Sequence, residues 1–142
     1  GALVEQRGVH QRRMDIELKF LAWAVVLGFV QLLLADVLVT RQRGLAWNTG
    51  PRDTSPPLTG VAGGSERAYR NFLETFPFFA AAVLAVVVAG RTDQHSALGV
   101  QLYLWARIAY IPLYLGAVRH VRSLAWLVSM LGLVLVLSPL FR

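Results

Sequence analysis

The chain has 142 residues, about one domain's worth, and is 56% hydrophobic but only 15% charged. Soluble domains carry about 25% charged residues, so this composition excludes an ordinary soluble globular domain and points to a membrane protein. With no cysteine there is no disulfide framework or thiolate nucleophile, and the formal charge of +6 comes without any polar stretch of basic residues interleaved with aromatics, which excludes nucleic acid as a partner.

Residues 1–13, GALVEQRGVHQRR, are polar and lack the apolar stretch of a signal peptide. Met14 looks like a natural start, so the prefix is expected to be a cloning remnant or an upstream leader outside the fold.

The first helix is expected over about 18–40. Its apolar run from Leu18 to Val39 is interrupted only by Gln31 and Asp36, and 22 residues reach about 33 Å, enough for a hydrocarbon core of about 30 Å. Residues 41–65 form a polar stretch rich in Gly, Pro, Ser and Thr. Pro56-Pro57 and Gly63-Gly64 argue against a continuous helix there, so a long loop is expected, with Trp47 anchoring its start.

A second helix is expected over 65–89, with Ser65 as its cap and Pro77 inside it. A third is expected over 96–118, antiparallel to the second after a short turn, with Pro112 inside it. A fourth, over 122–141, is nearly pure Leu, Val and Ala. The spans must be helices, because an open sheet edge leaves backbone groups unsatisfied in lipid. The fold class is therefore an all-α membrane protein, a four-helix bundle in a single domain.

Arginine placement gives an orientation. Arg41, Arg43, Arg52, Arg67, Arg70, Arg119 and Arg122 lie on one side, against Lys19, Arg91 and Arg142 on the other. The positive-inside rule then places the long loop in the cytosol and both termini outside, provided the prefix is left out.

Polar side chains inside these apolar segments mark the candidate site. A charge at the centre of a membrane helix costs roughly 2.5–3.5 kcal/mol on insertion scales, so it is rarely there without a partner or a task. Arg67, Arg70, Asn71 and Glu74 are related by three, four and seven residues and are expected on one helix face, with Arg70 and Glu74 as an i,i+4 pair. Arg107, Tyr110 and Tyr114 repeat the pattern on the third helix, and Arg122 and Ser123 open the fourth. Together they suggest a cavity near the cytosolic face. Guanidiniums favour carboxylates, Glu74 offers a site for an ammonium, and Asn71 both donates and accepts. A small, multiply carboxylated zwitterion fits that set, and apolar helix surface beside it would admit a lipophilic second substrate. Bland roles are also open: Arg107 and Glu74 can pair across helices, Asn71 can join helices, and Asp36 can meet a loop arginine. No His, Cys and carboxylate cluster suggests a metal.

RAYRNFLETFPFF (67–79), ARIAYIPLYLG (106–116) and RSLAW (122–126) resemble the MAPEG superfamily, the membrane-associated proteins in eicosanoid and glutathione metabolism. The resemblance runs from about Met14 to Phe141, and the chain looks like a bacterial member. It implies a homotrimer in the bacterial inner membrane, with glutathione as cosubstrate between adjacent subunits. It further implies that Arg70, Asn71 and Glu74 hold glutathione, with Arg67 and Arg107 in the same set. Arg41 would reach in from the neighbouring subunit, and Tyr110 and Tyr114 would line the site. Arg122, with Ser123, would stabilise the thiolate. The activity implied is glutathione transfer to lipophilic electrophiles, with reduction of lipid hydroperoxides beside it. A non-catalytic scaffold or lipid-binding trimer is the alternative. A small multidrug-type transporter ranks last, since Asp36 lies too near the end of its helix.

Overall fold

The computed structural model describes residues 14–116 and 119–142. The expectations for the prefix and for the end of the third helix at Val118 fall outside them. Every regular element among the described residues is helical: α1 (Ile16–Arg43), α2 (Leu45–Thr49), α3 (Gly60–Val88), α4 (Gln94–Leu115) and α5 (Arg119–Leu137), closed by a 3₁₀ turn at Ser138–Phe141.

Three stretches are long and apolar enough to cross a membrane: α1, α3, and residues 119–141. Large apolar side chains such as Trp23, Phe29, Phe78 and Trp105 face outward, as a helix solvated by lipid allows. α4 is the polar member. Its 22 residues include Gln101, Arg107 and three tyrosines, and it buries Tyr103, Arg107 and Tyr110 among its neighbours.

α1 buries one narrow stripe, Glu17, Ala24, Gln31 and Ala35, at near-heptad spacing. The core forms where Phe72, Phe79, Val83 and Val86 of α3 meet Val100 and Tyr103 of α4 and Val136 of α5. Phe79 and Tyr103 stack with centroids 3.9 Å apart, and the Tyr103 hydroxyl lies 2.9 Å from Thr75 Oγ1. α4 and α5 pack most closely, at facing glycines. A Cβ on Gly99 would stand 2.5 Å from Gly132 O, and one on Gly132 would stand 2.6 Å from Gly99 O. Small residues let membrane helices approach to backbone contact, where dispersion rather than the hydrophobic effect holds them.

The second helix begins five residues earlier than expected. Thr59 is its N-cap, and Ser65 is buried within it rather than capping it. Gly63 and Gly64 are helical despite their poor propensity, and Gly64 lets the helix approach α4, since a Cβ there would meet Tyr114 O at 3.1 Å and Leu115 Cα at 3.4 Å. Pro77 sits inside a helix that runs on to Val88, where Gly90, at φ 66°, closes it. Gly90 N–H donates to Val87 O and Arg91 N–H to Val86 O, both at 3.0 Å, which satisfies two terminal carbonyls.

The expected 25-residue loop is shorter and tied down. α2 takes up its start, and the irregular part covers 50–59. Arg43 donates from Nε and Nη2 to Pro56 O at 3.0 and 2.7 Å, Trp47 Nε1 donates to Thr54 O, and the Gln42 amide exchanges hydrogen bonds with Thr59. Trp47 therefore anchors the loop itself, with the Arg43 and Arg52 guanidiniums 4.5 and 5.1 Å from its ring centre.

At the other end, Asp93 caps α4. Its Oδ1 accepts from His95 N–H at 2.8 Å and Ser96 N–H at 3.0 Å, while its own N–H donates to Ser96 Oγ at 2.9 Å. Ser96 Oγ also donates to the buried Glu17 Oε1 at 2.7 Å, which joins α1 to α4 across 79 residues. The hydrogen bond from Ser96 N–H holds the Asp93 carboxyl below the ordinary carboxylate value, against a smaller opposing effect of burial.

Candidate functional site

α3, α4 and α5 converge on a cavity of about 210 Å³ lined by Asn71, Tyr110, Tyr114, Arg122, Ser123 and Trp126. Each element supplies its residues through helical spacing. Tyr110 and Tyr114 are one turn apart on α4, with ring centroids 5.4 Å apart in an edge-to-face arrangement. On α5, Arg122 and Trp126 are likewise one turn apart, with Ser123 beside them.

Tyr114 is the hub. The Arg122 guanidinium lies 4.2 Å from its ring centre, and the Arg67 guanidinium 5.6 Å from it. Two cations lie over one ring, contacts worth roughly 0.5–2 kcal/mol each depending on desolvation. Ser123 Oγ donates to Arg119 O at 3.2 Å, so its hydroxyl is engaged within its own helix.

Beneath this cavity lies Arg107, 1% exposed. Its guanidinium is 4.4 Å from the Tyr110 ring centre and 5.9 Å from that of Phe72. Among the described residues, Nε, Nη1 and Nη2 are all buried without an acceptor, and the Asn71 Oδ1 is buried without a donor. An uncompensated buried charge is expensive, so aromatic faces are a partial answer only. The expected pairing of Arg107 with Glu74 is not made. Glu74 is exposed and joins no ion pair among the described residues.

Arg70 corrects a second expectation. It pairs with Glu66 at 2.8 Å, not with Glu74. With Glu66, Tyr69, Asp36, Arg43 and Arg52 it lines a different cavity, of about 300 Å³, between α1, α2 and α3. The reason is angular. Successive helical residues point about 100° apart, so Asn71 faces α4 and α5 while Arg70 faces α1. Arg67, Arg70, Asn71 and Glu74 therefore do not share one face. Arg41 is exposed in the last turn of α1 and lines neither cavity. Asp36 is exposed and makes no ion pair among the described residues.

The structure thus gathers Asn71, Tyr110, Tyr114, Arg122 and Ser123 on one cavity, sets Arg67 and Arg107 against its tyrosines, and places Arg70 and Arg41 elsewhere. Trp126 is the lining residue to which the sequence analysis gave no role beyond its place in RSLAW (122–126). Its position four residues after Arg122 was the available signal. Chemically, the set places tyrosine hydroxyls and an amide beside guanidiniums, groups suited to an anion. It can hold carboxylates and favour the ionised form of an acid placed next to Arg122. No curated protein and no solved structure matches the chain. The model of the MAPEG family matches residues 20–140, covering nearly all the described helices. By that match the chain belongs to the MAPEG family.

Proposed function

We propose that the protein is a glutathione-dependent integral membrane enzyme. In this reading, glutathione thiolate is transferred to lipophilic electrophiles entering from the bilayer. The same thiolate also reduces lipid hydroperoxides: two glutathiones yield one disulfide while the hydroperoxide becomes an alcohol and water. The observation that carries the reading is the cavity where Arg122 and Arg67 flank Tyr114, with Asn71 and Tyr110 beside them. Arg122 has the role of stabilising the thiolate, with Ser123 beside it. Arg67, Asn71, Glu74, Tyr110 and Tyr114 hold the tripeptide's charged ends, and Arg107 supplies positive potential from below.

The division of the arginines supports a site shared between protomers. Ligand pockets usually enclose about 300–1,000 Å³, and the cavity of a single chain, about 210 Å³, is smaller. Arg70 and Arg41 face away from it, so in a homotrimer they serve the adjoining site rather than their own. α4 acts as the fourth span, its polar side chains shielded by the other three. The arginine asymmetry supports cavities that open to the cytosolic side of a bacterial inner membrane, with both termini opposite.

Isothermal calorimetry on detergent-purified oligomer tests the proposal. Saturable heat with glutathione, lost in Arg67→Ala and Asn71→Ala, is the expected result. No heat from correctly assembled protein, with no thiol-dependent turnover, would leave a membrane scaffold of the same fold.

A further inference from the structure

A second feature lies on the outer surface between α1 and α4. It is an apolar groove of about 470 Å³, walled by Trp23, Leu27 and Val30 of α1 and by Trp105 and Ile108 of α4, with Lys19 at one end. It shares no lining residue with the other two cavities.

Among the described residues Lys19 is the only charged one lining this groove, and it is the only lysine in the sequence. Its neighbour Glu17 is turned inward, where it accepts from Ser96 Oγ. No carboxylate among the described residues pairs with the Lys19 ammonium.

The groove's length is informative. Lys19 to Val30 spans eleven residues, about 16 Å along the helix. Half of a hydrocarbon core of about 30 Å is about 15 Å. The groove therefore reaches from a charged rim to the bilayer midplane and stops. A transmembrane helix of a second copy would run the full depth of the membrane and press the ammonium against apolar surface. A lipid chain has one-leaflet length, an apolar body and a charge at one end only. An ammonium at the rim selects an anionic head.

We propose that this groove binds one acyl chain of an anionic phospholipid from the leaflet at the Lys19 end, with the headgroup phosphate against the Lys19 ammonium.

Native mass spectrometry of the intact oligomer tests this. Protein is equilibrated with phosphatidylglycerol and phosphatidylcholine of identical acyl chains, for the wild type, Lys19→Gln, Lys19→Arg and the groove-filling Leu27→Trp. Wild type should retain phosphatidylglycerol about fivefold over phosphatidylcholine, the ratio expected from one lysine contact of about 1 kcal/mol. Lys19→Gln should bring that ratio close to one, Lys19→Arg should restore it, and Leu27→Trp should lower retention of both lipids. Equal retention by the wild type, or a preference unchanged in Lys19→Gln, overturns the proposal. So does equal retention by Leu27→Trp and wild type, which would place the lipid elsewhere. Glutathione binding should be unaffected by Lys19→Gln, so this result is independent of the fate of the catalytic proposal.

Discussion

The Arg122 guanidinium sits 4.2 Å from the centre of the Tyr114 ring, which fixes a cation of α5 against α4 at the mouth of the cavity. A cation held by an aromatic face keeps its N–H groups free for an anion, because a ring face takes no strong hydrogen bond. In the proposed mechanism that anion is a thiolate. Arg122→Ala should raise the pKa of bound glutathione by about 1–2 units, equivalent to roughly 1.4–2.7 kcal/mol. Thiolate absorbance at neutral pH should fall accordingly, while helical circular dichroism is retained. Unchanged absorbance would remove Arg122 from the mechanism.

Arg107 is a test of function against stability. Its buried nitrogens have no acceptor among the described residues, so Arg107→Met, which keeps the length and drops the charge, should stabilise the fold by about 1–3 kcal/mol. It should also weaken glutathione binding, since the positive potential beneath Tyr110 is lost. Thermal unfolding in detergent, paired with calorimetry, measures both. A destabilised variant would mean that the guanidinium has a strong partner in the assembled protein.

The glycine contact between α4 and α5 should tolerate no side chain. Gly99→Ala puts a methyl 2.5 Å from the backbone oxygen of Gly132, and Gly132→Ala puts one 2.6 Å from that of Gly99. Backbone cannot rotate away as a side chain can, so each should cost about 1–3 kcal/mol in unfolding measurements. The double variant should cost less than the sum, because the first substitution already separates the helices.

The Thr75–Tyr103 hydrogen bond should be modest and asymmetric. Interhelical hydrogen bonds in membrane proteins average about 0.6 kcal/mol, with a maximum near 1.7. Tyr103→Phe leaves Thr75 Oγ1 its second partner, Phe72 O at 3.2 Å, and should cost little. Thr75→Val strands the buried Tyr103 hydroxyl and should cost more. A double-mutant cycle on thermal unfolding gives the coupling. Equal single-variant costs would argue that the tyrosine finds another partner.

Asp93 makes stability pH-dependent at the α3–α4 turn. Its carboxyl is held below the ordinary value near 3.9, chiefly by the Ser96 N–H. A depressed carboxylate stabilises the fold fully above its unfolded value and loses that contribution as the pH falls through the folded one. Melting temperature should therefore drop below about pH 4 in the wild type, and Asp93→Ala should flatten that part of the profile. Identical acid limbs for the two proteins would show that the cap does not couple to unfolding.

The apolar runs of α1, α3 and α5 could be read directly from the sequence, because a bilayer demands some 20 apolar residues whatever the neighbours. The same holds for the polar residues within them: their cost in lipid marks Asn71, Arg107, Tyr110, Tyr114 and Arg122 without reference to any fold. Three things needed the tertiary structure. Gly64 sits in a helix against the end of α4, where the backbone of Tyr114 and Leu115 comes too close for a Cβ to fit without a shift, a contact that local propensity does not encode. Arg70 parts from Asn71 because a rotation of about 100° separates two neighbours that look equivalent in a linear motif. Glu17 and Ser96 meet because α1 and α4 pack side by side, which no periodicity along the chain expresses. Local chemistry and the thickness of the membrane set which residues are special. Helix rotation and interhelical distance decided which of them face the same space.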